Sequence, residues 1–237
     1  MAVPRSTVTC LRKRVIARKV FELTLSKPSD FTFQPGQFVL FSVPLTENPL
    51  DIQPRAYSIA STPEEEHLLF GIKLKPLGRA SRFVSDVLTE GMSIGIQGPL
   101  GAFTIDPACT RDILFVATGV GSAPFRSQIT HLLERQDRRR MDLLLGAFTE
   151  EDLFWMDHFG PLAKAHPNFA LHPVLSQPSL AWNGHRGWVQ NIVELIPDFR
   201  EREVYICGNP DMVSEVKKLC LETHGIAKER VHTEGYV

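Results

Sequence analysis

Several things are scarce in this 237-residue chain, and each scarcity removes a class of function. Cysteine occurs four times, at Cys10, Cys109, Cys207 and Cys220. That spacing is too wide and irregular for a zinc pattern or a disulfide framework, and it lacks the C-x4-C-x2-C cluster of a plant-type iron–sulfur site. Excess charge is also missing: 26 basic residues against 27 acidic ones leave a formal charge of -1, so no pull toward nucleic acid is expected. No apolar run approaches the roughly 18 residues of a membrane-spanning helix. The opening MAVPRSTVTC has no apolar signal core, and a cytoplasmic, soluble protein without membrane insertion is expected. The eight histidines form no H-E-x-x-H or comparable metal pattern, and no G-x-S-x-G elbow occurs, which disfavours hydrolase chemistry. Internal repeats and low-complexity segments are absent too.

What is present is ordinary globular material, long enough for two domains. Up to about residue 106 the pattern is strand and turn: Thr7–Ala17, Val20–Leu25, Gln37–Val43 after a Gln34-Pro35-Gly36 turn, then RAYSIA, His67–Leu74 and Met92–Gln97. One helical stretch, Ala80–Leu88, interrupts it. Six short strands punctuated by Pro and Gly predict a small antiparallel β-barrel. The pattern changes between residues 104 and 111, which sets domains at 1–106 and 107–237. Ile113–Thr118 is continuously apolar, as in a strand covered on both faces. Helix Ser122–Gln136, strand Asp142–Ala147, helix Phe154–Ala165, strand Phe169–Leu175, helix Trp188–Leu195, strand Val204–Cys207 and helix Met212–His224 follow. Such alternation predicts a doubly wound α/β domain with a five-stranded parallel sheet, whose ligands lie beyond the carboxyl ends of its strands.

Four stretches carry chemistry. In ATGVGSAPF (117–125) an apolar strand runs into a helix through Gly119 and Gly121. Glycines there permit a tight turn and close approach by a pyrophosphate, and the helix start supplies N–H groups. Pro124 suits the first helical turn, although it replaces the third glycine of the full dinucleotide fingerprint. ICGNPDMV (206–213) is a second strand–glycine–helix junction, and parallel strands place it on the same sheet edge. Cys207 stands at that strand end, as a ligand contact or simply a buried thiol. PLGRASRF (76–83) reads either as an anion-binding turn, through Gly78, Arg79 and Ser81, or as plain helix N-capping by Ser81. RAYSIAS (55–61) alternates faces, with Arg55, Tyr57 and Ile59 on one side and Ala56, Ser58 and Ala60 on the other. An arginine fork grips phosphate, and a neighbouring tyrosine offers a flat face to an aromatic ligand. The basic stretches RQDRRR (135–140) and LRKRVIARK (11–19) read as solvated faces or as steering patches for an acidic partner.

Taken in order, these motifs resemble the ferredoxin–NADP reductase family of flavoproteins over essentially the whole chain. RAYSIAS is similar to the family's R-x-Y-[ST] flavin motif, GRAS to its second pyrophosphate turn, GPLGAF (98–103) to the end of its flavin domain, and CGNPDMV to its C-G-x-P motif. The resemblance implies a barrel that binds FAD (FMN in a few members) and a sheet domain that binds NADH or NADPH. It implies that Arg55 holds the flavin phosphate, Tyr57 packs on the isoalloxazine and Ser58 bonds near its N5. Ala56, Ile72, Lys73, Gly78, Arg79, Ala80 and Ser81 complete the implied flavin contacts. Thr118, Gly119, Gly121, Pro124, Ser176, Gln177, Gly208, Asn209 and Pro210 are the implied nicotinamide-nucleotide contacts, with Cys207 beside the nicotinamide. TEGYV resembles the family's E-x-Y ending, which implies a proton role for Glu234 and flavin stacking for Tyr236, with Val237 as an extra residue.

The implied activity is flavin-dependent oxidation of NAD(P)H, with electrons passed to a separate ferredoxin, flavodoxin or oxygenase component. The alternatives are an electron-transfer subunit of a larger oxygenase complex and a nucleotide-binding regulatory module without turnover. Family members that use NADPH place an arginine after the serine that here is Ser176. The uncharged Gln177 therefore points to NADH, while Arg186 in WNGHRGW is a cation that could compensate.

Overall fold

The computed structural model describes residues 3–44, 48 and 50–235. Two compact units emerge: one holds the chain up to Ile105 together with Ala123–His131, the other holds Asp106–Ser122 and the chain from Leu132 onward.

In the first unit, six strands, β1 (Arg5–Ala17), β2 (Val20–Ser26), β3 (Phe38–Pro44), β4 (Ile52–Ser58), β5 (His67–Lys73) and β6 (Ser93–Leu100), form an antiparallel sheet. Its order is β4-β3-β6-β1-β2-β5. The expected alternation is clearest in β3, where Val39, Phe41 and Val43 are buried and the residues between them are not. They join Leu23, Leu25, Phe70 and Ile72 in the barrel core. Closure comes just past β4. The Ala60 N–H donates to the Leu69 carbonyl at 2.8 Å, and the Ser61 hydroxyl accepts the Leu69 N–H at 3.1 Å. These bonds join the two outermost strands, so neither presents a fully open edge.

Two details differ from the sequence reading. RAYSIA does not begin its strand; β4 starts at Ile52 and ends at Ser58, so Ile59 and Ala60 belong to the buried turn that closes the barrel. The helix expected over Ala80–Leu88 is a single α-turn, α1 (Arg79–Arg82), widening into a π-type turn, Phe83–Val87. Lys13 takes up the carbonyls of Ser85 and Leu88 at 3.0 and 2.8 Å, which accounts for one cation of the N-terminal basic run.

The second unit is built on a parallel sheet of β7 (Ile113–Thr118), β8 (Met141–Ala147), β9 (Phe169–Leu175), β10 (His185–Arg186), β11 (Glu203–Gly208) and β12 (Val231–Gly235), in the order β10-β9-β8-β7-β11-β12. It has six strands rather than the expected five; β10 is two residues long and leaves no alternation to read. The helices are α2 (Ser122–Glu134), most of which, Ala123–His131, belongs to the first unit, and α3 (Met156–Ala165) and α4 (Pro210–Lys218), the last continuing as a π-type turn to Thr223. No α-helix spans 188–195. Two 3-10 turns, Val189–Asn191 and Val193–Leu195, bury Val189 and Val193 instead, and packing outweighs the periodic apolar spacing there. Leu114, Val116, Leu144, Val204 and Ile206 line the core on one face of the sheet.

At the amino end of β8, Asp142 is fully buried and bonded to Arg202 and to His172 Nε2 (2.7 Å), with Arg140 at 3.3 Å. Burial alone would raise this carboxyl; the hydrogen bonds from His172 and Arg202 outweigh it and hold Asp142 below the usual carboxylate range. A depressed carboxylate stabilises the fold at neutral pH, and that contribution fades only as pH falls below the ordinary aspartate value of about 3.9. Replacing Asp142 by Asn leaves Arg202 charged and buried. We expect a loss of about 3–5 kcal/mol at pH 7, shrinking on acidification, measured by urea unfolding of both proteins across pH.

Candidate functional site

The two sets of motif residues lie in different units, and each set has its own geometry. In the first unit, Asp51 immediately precedes β4, and Arg79 opens α1. Arg79 places its fork on the Asp51 carboxylate, Nη1 to Oδ1 and Nη2 to Oδ2 both at 3.1 Å, and this hydrogen bonding lowers the Asp51 pKa. The pair ties the RAYS strand to the GRAS turn, two motifs that are 20 residues apart in sequence. It also means that Arg79 serves Asp51 rather than standing free for an anion. Ser81 corrects the capping alternative: its hydroxyl accepts the Lys75 N–H at 2.7 Å, while Gly78 holds the N-cap position. A Cβ on Gly78 would come within 3.0 Å of that hydroxyl and 3.2 Å of the Lys75 carbonyl, so glycine keeps the turn tight.

Along β4, Arg55 is exposed and donates to the Pro54 carbonyl (2.8 Å) and to Gln53 Oε1 (2.9 Å). Tyr57 is half-buried, its ring 4.7 Å from Phe41, which in turn meets Phe70 edge-on at 4.9 Å. Three packed rings fix the phenol's orientation. Burial pushes its pKa up to about 12 against the lowering influence of Arg55, so the hydroxyl remains a donor. Ser58 ends the strand buried, opposite Phe38. Ala56 and Lys73 are exposed and Ala80 is half-buried. Ile72 is different: at 1% exposure it is a barrel core residue, and its side chain offers a ligand no surface.

In the second unit, β7 and β11 are adjacent and parallel, with Ala117 opposite Cys207, so both glycine turns do sit on one edge. Their contact is very close. A Cβ on Gly121 would lie 2.3 Å from the Cys207 carbonyl oxygen, and one on Gly208 (φ +141°) would lie 2.3 Å from Thr118 Oγ1. The same Thr118 hydroxyl accepts the Asn209 N–H at 2.9 Å. Gly121 is therefore glycine because backbone packs on backbone. Gly119 has a left-handed φ of +53° and open space where a Cβ would stand. Asn209 caps α4 by accepting the Asp211 N–H at 2.8 Å, Pro210 fills the first helical position, and Pro124 is buried in the first turn of α2.

Cys207 is fully buried in β11, and register places Glu234 of β12 beside it. Tyr236 and Val237 lie outside the described residues. Ser176 follows β9, and its Oγ is buried with no hydrogen-bond partner among the described residues; Gln177 is exposed. Arg186 is not a spare cation for a phosphate. Its Nη2 donates to the carbonyls of Ser179, Leu180 and Trp182 at 3.0, 3.4 and 2.7 Å, which clamps that loop. The basic run after α2 is likewise engaged, Arg139 with Asp137 and the Cys109 carbonyl, Arg140 with Asp142. Among the described residues there is no cluster of metal-ligating side chains and no helix long and apolar enough to cross a membrane.

Sequence reasoning missed one feature of this edge. Phe148, just past β8, and Trp188, just past β10, meet edge-to-face at 6.1 Å while remaining 45% and 52% exposed. The neighbouring Val189 packs so closely on Gly146 that a Cβ there would be 2.6 Å from it and 3.0 Å from Thr118. The aromatic pair thus stands near the glycine turns, a placement that no local pattern announces.

Comparison with known proteins finds two family models that match consecutive stretches of the chain. Residues 12–105 match the family model of the oxidoreductase FAD-binding domain, and residues 115–218 that of the oxidoreductase NAD-binding domain. Ferredoxin–NADP reductase B of Sorangium cellulosum is 33% identical over 213 residues, covering 87% of this chain and 86% of its own. The reductase subunit of glycine betaine monooxygenase from Pseudomonas aeruginosa is 32% identical over 224 residues, 92% of this chain; the chain spans 60% of that relative's length. A ferredoxin–NADP+ reductase structure from Neisseria gonorrhoeae, with FAD and NADP bound, has the same fold, with a TM-score of 0.84, 21% identity and 98% coverage of both chains.

Gly121→Ala tests the turn packing. Forcing a methyl against the Cys207 carbonyl should cost about 1–3 kcal/mol, seen as a lower thermal midpoint, while Gly119→Ala, facing open space, should cost about 1–2 kcal/mol through its positive φ alone.

Proposed function

The chain belongs to the ferredoxin–NADP reductase family, and from that premise we propose that it is a FAD-dependent oxidoreductase that takes hydride from a nicotinamide dinucleotide and delivers electrons to a separate acceptor. The observation that carries this reading is the pair of glycine turns locked together at one sheet edge, with Cys207 and Glu234 side by side in register there. That is the place where parallel sheets hold nucleotides.

The residues present fit both groups. For the flavin, the barrel offers a rigidly packed tyrosine with a protonated hydroxyl, a serine at the strand end and an exposed arginine. For the nucleotide, Gly119 leaves open space at a strand–helix junction. Bound flavin supplies a two-electron to one-electron relay that no side chain provides. Arg55 would bind the flavin phosphate, exchanging neutral oxygen partners for a charged one. Tyr57 would orient the ring system, and Ser58 would donate at its reactive edge. In the second unit, Glu234 would supply the acid group and Cys207 would shape the nicotinamide pocket from behind. Tyr236 would serve as the terminal aromatic of the family's E-x-Y ending.

NADH is the proposed donor. Gln177 brings no charge, Arg186 is spent on its own loop, and Glu150 is kept anionic by the Ser179 hydroxyl at 2.6 Å, its pKa lowered by that bond. A 2′-phosphate would meet no free cation at these positions. The acceptor is a ferredoxin, a flavodoxin or an oxygenase component, the last in line with the relative that serves glycine betaine monooxygenase. That relative's greater length favours one further reading, an electron-transfer module within a larger oxygenase system.

Purified protein should be yellow, and anaerobic NADH should bleach its flavin band. Colourless protein that takes up neither FAD nor FMN would sink the proposal. Arg55→Ala should weaken FAD binding about tenfold or more, since a charge-assisted contact contributes about 1.5–3 kcal/mol; fluorescence titration reads this directly. Gln177→Arg should raise kcat/KM for NADPH relative to NADH by about tenfold, and an unchanged ratio would remove Gln177 from nucleotide selection.

A further inference from the structure

Two consecutive residues of α2 grip the backbone that immediately follows the flavin strand, and the next one, Gln128, holds the segment after β6, all within the first unit. Arg126 Nη1 donates to the Ala60 carbonyl at 2.7 Å and pairs with Glu65 at 3.2 Å. The Ser127 hydroxyl donates to the Ser61 carbonyl at 2.6 Å, with both residues fully buried. Gln128 Nε2 donates to the Phe103 carbonyl at 2.6 Å, where Gly36 leaves room because a Cβ would lie only 2.4 Å from that nitrogen.

The gripped segment begins one residue after Ser58. Further backbone groups of the segment are bonded: the Ile59 N–H donates to the Gln37 carbonyl (3.0 Å), the Ala60 N–H to Leu69, and the Thr62 N–H to Glu65 Oε1 (3.0 Å). Losing the Ser127 hydroxyl would remove the bond it makes to the carbonyl of the fully buried Ser61. A turn held at every residue sets the direction in which Tyr57 and Ser58 point, because the strand can shift or twist only if its C-terminal anchor yields. Nothing in barrel closure alone requires this; the Ala60–Leu69 and Leu69–Ser61 bonds already join β4 to β5.

We propose that Ser127, with Arg126 in support, is a positioning residue for hydride transfer: it fixes the 59–62 turn and thereby the pose of Tyr57 and Ser58 against the flavin. This rests on the flavin reading above. It differs from a packing role in what it predicts, since a misaligned serine and tyrosine alter the flavin's surroundings without removing its binding groups.

The test compares holoprotein carrying Ser127→Ala, Ser127→Thr and Arg126→Met with wild type. Ser127→Ala should keep full flavin stoichiometry and an NADH KM within about twofold, yet slow NADH-driven flavin reduction by about fivefold or more in stopped flow and change the flavin's visible circular dichroism. Ser127→Thr, which keeps the hydroxyl, should restore both, and Arg126→Met, which loses the bond to the Ala60 carbonyl, should show the same signature more weakly. If Ser127→Ala fails to fold, the Arg126 variant carries the test. A lower melting temperature with unchanged reduction rate and unchanged dichroism in these variants would overturn the positioning role while leaving the functional reading intact. Wild-type protein that binds no flavin would overturn both.

Discussion

The second unit depends on a contact that only glycine permits. Two loops leave neighbouring parallel strands and touch, backbone to backbone, through Gly121 on one side and the Cys207 carbonyl and Gly208 on the other. The Thr118 hydroxyl completes the join by accepting the Asn209 N–H. Side chains at either glycine would hold the loops apart by more than a packed core tolerates. Everything proposed for the nucleotide follows from that join, because it leaves Gly119 as the turn residue facing open space and sets Cys207 behind it.

The first unit solves a different problem. A barrel of short strands holds itself together through alternate apolar side chains, but a strand at its edge needs firmer placement. Three devices supply it. Arg79 and Asp51 anchor the start of β4, the Tyr57–Phe41–Phe70 stack holds its middle, and the hydrogen bonds of residues 59–62 hold its end. Polar anchors of this kind add specificity of position rather than bulk stability, since each has exchanged water for a protein partner at small net gain.

Both units also show basic side chains paired within the fold while several stay at the surface. Lys13, Arg14, Arg139, Arg140 and Arg186 all looked like candidates for partners or phosphates, and all have intramolecular ones. Asp142 with Arg202 and His172 does the same in the interior, at the amino end of the sheet and away from the edge where the glycine turns lie. A near-neutral chain with its cations so engaged leaves recognition to shape and to a few polar groups rather than to a broad electrostatic field.

Much of the architecture was legible along the chain. Period-two alternation in β3 and the apolar run of β7 are local properties, so strand positions and the change from barrel to alternating α/β pattern follow from residue order. The same holds for the strand–glycine–helix junctions at Gly119 and Cys207, where local turn chemistry is unambiguous. What residue order could not supply were facts about neighbours distant in sequence. Which glycine faces open space and which meets another loop, that Ile72 is core, that Arg79 belongs to Asp51, that 188–195 forms tight turns, and that Phe148 and Trp188 stand together are all decided by packing. The physical reason is range. Propensity, periodicity and capping act over a few residues, whereas hydrogen-bond partners and close approaches exist only once strands 90 residues apart, such as β7 and β11, have been brought side by side.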